Sequence, residues 1–374
     1  MSTASSPDES YRPSVLVVGA RGIPDVEGGA EKNAEMLFPI IAASGFRVVV
    51  LGLHGIIRDG SFRGVELRSA PNRRILNTDK LFYYLYALSV ARSLKPDIVH
   101  LQGLGASLFL WAYKLMGTRV VVRYGSVDYL GPKWGLIGRL GFLAAEYQTR
   151  FADAVIAVAP ALARRLGARG VHETVHLIPN ALDEPPPASE AWREAAGGDD
   201  APFILMVGRV SAPKNIHRVI EGFRLFRERT GRDVRLLIAG GYQDEPYGRE
   251  IYALRGEDVR LLGYCTRAQL EGLYRRCELF INSSVYEGSS NAVLEAISRD
   301  CPLILSGIPE NRDFGLPDQV YFNPLDPAAI AESIAAALAD PDRFRAPPSD
   351  FLRWSDVAAK TIAIYHSLLG TARG

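Results

Sequence analysis

The sequence predicts an α/β protein of two doubly wound parallel-sheet domains facing each other across a cleft. Three observations carry that reading. Short runs rich in Val, Ile and Leu alternate with helical stretches, which is how parallel strands and their crossover helices read. One proline-rich, acidic stretch divides the alternation into two series. At 374 residues the chain also exceeds the length at which single cores usually stop growing.

The polar residues 1–13 are expected to be disordered, and the first series opens with SVLVVG, Ser14 to Gly19, a β-branched run closed by glycine. A loop holding Gly22, Pro24, Gly28 and Gly29 leads into an amphipathic helix from about Ala30 to Ser44, followed by a strand from Arg47. Further strands read as Pro96–Leu101, Arg119–Tyr124, Asp153–Ala159 and Thr174–Pro179, with a helix near Ala106–Met116. Residues 14–183 therefore read as the first domain. Residues 184–202 include three consecutive prolines, Pro185 to Pro187, and read as a linker with a poor core. The second series fills 203–354, with strands at Phe203–Gly208, Val234–Gly240, Val259–Tyr264, Leu279–Ser284 and Pro302–Ser306. The remainder, 355–374, has helical periodicity and is expected to pack back toward the first domain.

A composition of 48% hydrophobic and 23% charged residues is ordinary for a globular protein. Cys265, Cys277 and Cys301 are too few and too odd in number for a disulfide framework, so a reducing compartment fits. The acidic opening MSTASSPDES reverses the order of a signal peptide, and no run approaches the length of a membrane span. A cytoplasmic protein, soluble or peripheral on the inner face of the plasma membrane, is the expectation. Up to Asp183 there are 21 Lys and Arg against 15 Asp and Glu, a net of +6; the rest holds 22 against 27, a net of −5. Such a split suits a first half that faces something anionic, though drift between halves would also produce it. Nothing points to nucleic acid as a partner.

The strongest local signal is Glu287-Gly-Ser-Ser-Asn-Ala-Val-Leu-Glu295, which follows a strand and opens a helix. Gly288, Ser289, Ser290 and Asn291 are turn and cap residues, so unpaired backbone N–H groups should point into the cleft. The positive end of a helix suits a phosphate there. Glu287 stands just before the helix, and Glu295 leans back toward its start, so both suit hydroxyls beside that phosphate. A capped surface helix with two solvated acids is the bland alternative. The second signal is Gly208-Arg-Val-Ser-Ala-Pro-Lys-Asn215, where Arg209 and Lys214 bracket a loop before a helix at about Ile216–Glu228. Two cations suit a diphosphate whose charge grows as a sugar leaves; exposed loop residues are the alternative.

The third is Gly28-Gly-Ala-Glu31, whose glycines allow close backbone approach to a ligand at a helix start. It is no dinucleotide fingerprint, and no acid ends the second strand at Leu51-Gly-Leu-His54, which disfavours an NAD enzyme. Asp340-Pro-Asp342 reads as a turn rather than a metal site, and the six histidines lack metal-ligand spacing. Neither a metal nor a cofactor is expected.

These motifs, from RGIP…GGAEK through Pro179-Asn180 and GRVSAPKN to EGSSNAVLEA and SGIPENRD, resemble the retaining GT-B glycosyltransferases of family 4. That group includes many bacterial polysaccharide and lipid-sugar transferases. The resemblance covers nearly the whole chain and implies a GT-B fold of two Rossmann-like domains and a metal-independent transfer from a nucleotide-diphosphate sugar. It implies that Gly28 and Gly29 approach the diphosphate while Arg209 and Lys214 neutralise it. Glu287 would hold hydroxyls of the donor sugar, the Ser289 and Ser290 amides would meet phosphate, and Glu295 would bind the donor ribose. Retention would come from front-face attack, with the leaving phosphate taking the acceptor's proton. Many relatives carry a histidine after the strand RVVV, where this chain reads Arg123-Tyr124-Gly125-Ser126-Val127-Asp128. Arg123, Tyr124, Asp128 and Asn180 are the candidates for sugar or acceptor contacts; Tyr124 could equally be packed core.

From Lys114 to Arg150, six basic residues stand against Asp128 and Glu146, interleaved with Trp134, Leu136, Ile137, Leu140 and Phe142. This pattern suits an anionic membrane surface and a lipid-linked saccharide acceptor; a buried helix with solvated cations is the alternative. Two further functions share the architecture. A nucleotide-sugar 2-epimerase would give an epimer without any acceptor, and a non-catalytic sugar-nucleotide binder would tolerate loss of Glu287.

Overall fold

The computed structural model of the chain describes residues 11–73, 79–127, 135–171, 174–185, 187, 190–198, 200–242 and 245–370. Eight strands make the first sheet: β1 Ser14–Val18, β2 Arg47–Gly52, β3 Gly60–Phe62, β4 Val65–Ser69, β5 Ile98–Gln102, β6 Arg119–Tyr124, β7 Ala154–Ala157 and β8 Val175–Leu177. Their order is β3-β4-β2-β1-β5-β6-β7-β8, parallel throughout except for β3 against β4. Six parallel strands make the second sheet: β9 Phe203–Val207, β10 Arg235–Ala239, β11 Val259–Gly263, β12 Leu279–Asn282, β13 Leu303–Ser306 and β14 Tyr321–Phe322, in the order β11-β10-β9-β12-β13-β14. The order reverses beside β1 in one sheet and beside β9 in the other. Ligands of such sheets bind at these switch points, outside the carboxyl ends of the strands.

Parallel strands covered by helices are buried on both faces, and β1, β2, β5 and β6 are accordingly near-continuous hydrophobic runs. One face of the first sheet, with Val15, Val17, Ile98 and Val121, packs against the helix Gly29–Ala43 and the C-terminal helix Trp354–Gly370. The opposite face carries Leu16, Val99, Val120, Val122 and Tyr124. At the point where the chain returns from the second domain, the Leu182 amide donates to the Leu352 carbonyl (2.8 Å) and the Trp354 indole N–H donates to Asp183 (2.8 Å).

Two local expectations give way. Residues read as a coreless linker contain the helix Trp192–Ala196, whose buried Trp192 packs against Phe203 in the second core. The helix placed near Ala106–Met116 is a 3-10 turn, Leu104–Phe109, followed by a short α-helix, Leu110–Leu115. Within the polar N-terminus, the Tyr11 hydroxyl donates to Asp97. Asp340 and Asp342 flank Pro341 at a 3-10 turn, and no cluster of potential metal ligands occurs among the described residues. None of the described helices is long and apolar enough to cross a membrane.

Candidate active site

The second domain brings its two motifs together at the carboxyl edge of its sheet. β9 ends at Val207, and the loop that follows carries the Lys214 side chain back against Gly208. The loop after β12 is tied to that segment by the Ser283 hydroxyl donating to the Lys214 carbonyl (2.7 Å) and the Val285 amide donating to the Pro213 carbonyl (2.9 Å). Lys214 donates through Nζ to Glu287, which also accepts from the Ser284 hydroxyl at 2.8 Å. Burial alone would push the Glu287 carboxyl up. The Lys214 charge and the hydrogen bonds from Lys214, Ser284 and Asn282 outweigh it and hold the group below the usual carboxylate range. The other motif cation, Arg209, is exposed and forms no ion pair among the described residues. One cation of the pair is thus already matched by an acid, and the other has no ion-pair partner among the described residues.

Ser290 precedes the helix Asn291–Ser298, whose N-terminus has no side-chain cap, so its first backbone N–H groups remain available. Across the cleft, the helix Gly29–Ala43 begins equally uncapped. The two starts meet: a Cβ placed on Gly29 would lie 3.7 Å from Asn291 Nδ2. Gly28 has φ +140°, and a side chain there would run into the Glu31 carboxylate, which accepts from the Arg21 backbone N–H (3.0 Å) and Nε (2.9 Å). Gly288 sits so close to the first domain that a Cβ would fall 1.7 Å from the Gly125 carbonyl oxygen.

Glu295 accepts from the Tyr274 hydroxyl at 2.9 Å and faces Lys32 of the first domain, Nζ to Oε1 3.5 Å. Arg123 is buried, and its Nη2 donates to Asn180 Oδ1 at 2.7 Å; Asn180 in turn donates through Nδ2 to the Ser289 carbonyl at 2.9 Å. Tyr124 lies on the opposite face of β6, fully buried, with its hydroxyl donating to Glu146. Of the two readings of Tyr124, packed core describes its side chain; the alternation of β6 sends Arg123 and Tyr124 to opposite faces, which withdraws Tyr124 from sugar contact. Asp128 lies outside the described residues.

Residues 27–184 match the family model described as Glycosyltransferase Family 4, and residues 189–348 match that described as Glycosyl transferases group 1. The chain is a glycosyltransferase of the GT-B type. It is 26% identical over 284 residues to the alpha-D-kanosaminyltransferase of Streptomyces kanamyceticus, covering 69% of this chain and 73% of that protein. The O-antigen chain mannosyltransferase B of Escherichia coli is 26% identical over 141 residues, 37% of each chain. Sucrose-phosphate synthase from Thermosynechococcus elongatus shares the fold with a TM-score of 0.79 over 96% of this chain and 100% of its own, at 18% identity. HepE from Anabaena, in complex with UDP and glucose, gives 0.73 over 95% and 100%, also at 18% identity.

The glycosyltransferase also places in its cleft groups to which the motifs assign no role. Lys32 touches both Asp183 and Glu295, so one ammonium joins the first domain, the interdomain crossing and the donor-side helix. Its place in GGAEK, in the first turn of the helix Gly29–Ala43, was the available signal. Arg267 donates to Glu35 at 2.6 Å and the Gly241 amide to Glu27 at 3.4 Å, closing one side of the groove. Contacts between residues more than two hundred positions apart leave no local trace in a sequence.

Proposed function

We propose that this glycosyltransferase moves a hexosyl group from a nucleotide-diphosphate sugar to a saccharide acceptor, with retention at the anomeric carbon and without a metal ion. The observation that carries the reading is Lys214 held by Glu287 beside the uncapped start of helix Asn291–Ser298, with Arg209 exposed on the same loop. Positive charge and free amides sit together with a carboxylate suited to sugar hydroxyls. Arg209, Lys214 and the amides of Ser289 and Ser290 take the diphosphate, approached from the other side by Gly28 and Gly29. Glu287 takes donor hydroxyls and Glu295 the ribose. The C1–O bond to phosphate breaks as the acceptor oxygen bonds to C1 from the same face, and the acceptor's proton passes to the leaving phosphate oxygen. The side chains then act by positioning and by stabilising the growing negative charge. HepE bound to UDP and glucose supports a nucleotide-sugar donor for this fold.

The acceptor in this reading is lipid-linked, and the product belongs to a cell-surface polysaccharide. Exposed Leu136, Leu140, Leu143 and Tyr147 run at helical spacing along Leu136–Gln148 and continue to Phe151, with exposed Trp111 and Leu115 on the neighbouring helix. Leu115 and Leu136 are 81% and 75% exposed. From Lys114 to Arg169 the sequence holds nine Lys and Arg against three Asp and Glu. An apolar stripe in a basic segment supports docking at the anionic inner face of a plasma membrane.

The test is product analysis with UDP-, GDP- and dTDP-sugars, an oligosaccharide-lipid acceptor, and EDTA throughout. A glycosylated acceptor of unchanged anomeric configuration is expected. An epimerised sugar formed without acceptor, or activity restored only by a divalent metal, would overturn the reading.

A further inference from the structure

We propose that Arg123 forms a subsite for an anionic oxygen group carried by a sugar substrate, a carboxylate or a phosphate monoester additional to the donor's own diphosphate. The proposal rests on the reading of the cleft as a glycosyl-transfer site. Arg123 is the penultimate residue of β6, at the carboxyl edge of the first sheet, and is 5% exposed. A guanidinium offers five N–H donors. This one makes a single hydrogen bond, to the Asn180 amide oxygen at 2.7 Å, and no ion pair among the described residues. Glu31, the carboxylate whose charge acts on it, is already engaged by Arg21. Burial lowers Arg123 to about 10, only partly offset by Glu31, so it remains a cation at neutral pH.

A buried cation without a counter-charge is costly, and an arginine kept for packing is expected to meet a carboxylate. Among the described residues Arg123 meets an amide instead, which leaves its planar fork open to the oxyanion geometry it matches best. Its surroundings place that fork at the reaction centre. Nη1 lies 2.8 Å from where a side chain on Gly125 would begin, and the Gly125 carbonyl abuts Gly288 of the donor loop. Asn180 bridges from Arg123 to the Ser289 carbonyl of the same loop. Gln102, paired in register with Arg123 on the same face of the sheet, donates to Asn33 at 2.9 Å, and its buried Oε1 has no partner among the described residues. The end of β5 and β6 therefore holds unmet donors beside an unmet acceptor, a pattern suited to a sugar bearing both an anion and hydroxyls. A neutral sugar would leave the cation unpaired, which makes Arg123 specificity-determining.

The experiment uses the full chain and two arms. The donor arm compares UDP-glucuronate with UDP-glucose, and GDP-mannuronate with GDP-mannose; the acceptor arm compares glucose 6-phosphate with glucose as co-ligand. Binding is read by calorimetry and, where transfer occurs, kcat/KM is measured. The wild type should favour the acidic member of one pair by roughly tenfold or more. Arg123→Gln should erase that preference, the acidic member losing roughly tenfold more than the neutral one, and Arg123→Lys should restore part of it. A preference in the donor arm assigns a carboxylate on the donor; one in the acceptor arm assigns a phosphate on the acceptor. No preference in either arm, or equal losses on neutral and acidic members in a folded Arg123→Gln, would overturn the proposal and leave Arg123 only as support for Asn180. A wild type that binds no nucleotide sugar at all would instead sink the reading of the cleft, and this subsite with it.

Discussion

Glu287 keeps its charge in a nearly buried position, its side chain 14% exposed, because Lys214, Ser284 and Asn282 converge on it. Its folded-state pKa is depressed, so its contribution to stability is complete above the ordinary carboxylate range. That contribution is lost as pH falls through the lowered value. Chemical denaturation at descending pH should therefore show a steeper acid-side loss for the wild type than for Glu287→Gln; identical slopes would remove the Lys214–Glu287 pair from the stability of the fold. The pairing of Lys214 with Glu287 was not legible in the sequence, where the two are seventy-three positions apart. Their residue types and their places after strands were legible, because a strand-to-helix turn with Gly and Ser has few other uses. Arg123 and Tyr124 show the limit of such reading. A parallel strand buried on both faces carries no polar alternation to say which side chain looks toward the ligand.

At the level of elements, the major strands appear where apolar runs end in Gly or a turn, since that pattern is set locally. The edge hairpin Gly60–Ser69, the helix Asp79–Leu94 and the Trp192 helix do not stand out; they are short, polar or weakly amphipathic, and packing rather than periodicity fixes them. The loop that joins β12 to helix Asn291–Ser298 depends on Gly288. A methyl group there would meet the backbone of Gly125, which cannot rotate away as a side chain can. Gly288→Ala should leave the circular dichroism spectrum and each domain's core intact while separating the two domains. Turnover should fall about a hundredfold, as when a catalytic constellation is displaced by an ångström. Unchanged turnover would mean that the contact between Gly288 and Gly125 has no part in the working geometry.

For the whole molecule, the cleft is closed by side chains from both domains, with Lys32 against Glu295 and Arg267 against Glu35. The exposed apolar stripe lies on the first domain, on helix Leu136–Gln148. Replacing Leu140 and Tyr147 together by Glu should abolish sedimentation with vesicles containing phosphatidylglycerol at low salt, leaving thermal stability near that of the wild type because both side chains are already exposed. A wild type that does not sediment with such vesicles would remove the membrane from the account.

The proposed function requires that the loop after β9 and the start of helix Asn291–Ser298 grip a diphosphate. Calorimetric titration of UDP and GDP against UMP and GMP measures this directly. The wild type should bind the diphosphate form of its nucleotide at least about tenfold more tightly than the monophosphate, and Arg209→Ala or Lys214→Ala should remove most of that gap. Equal affinity for mono- and diphosphate, or a gap untouched by both substitutions, would contradict it.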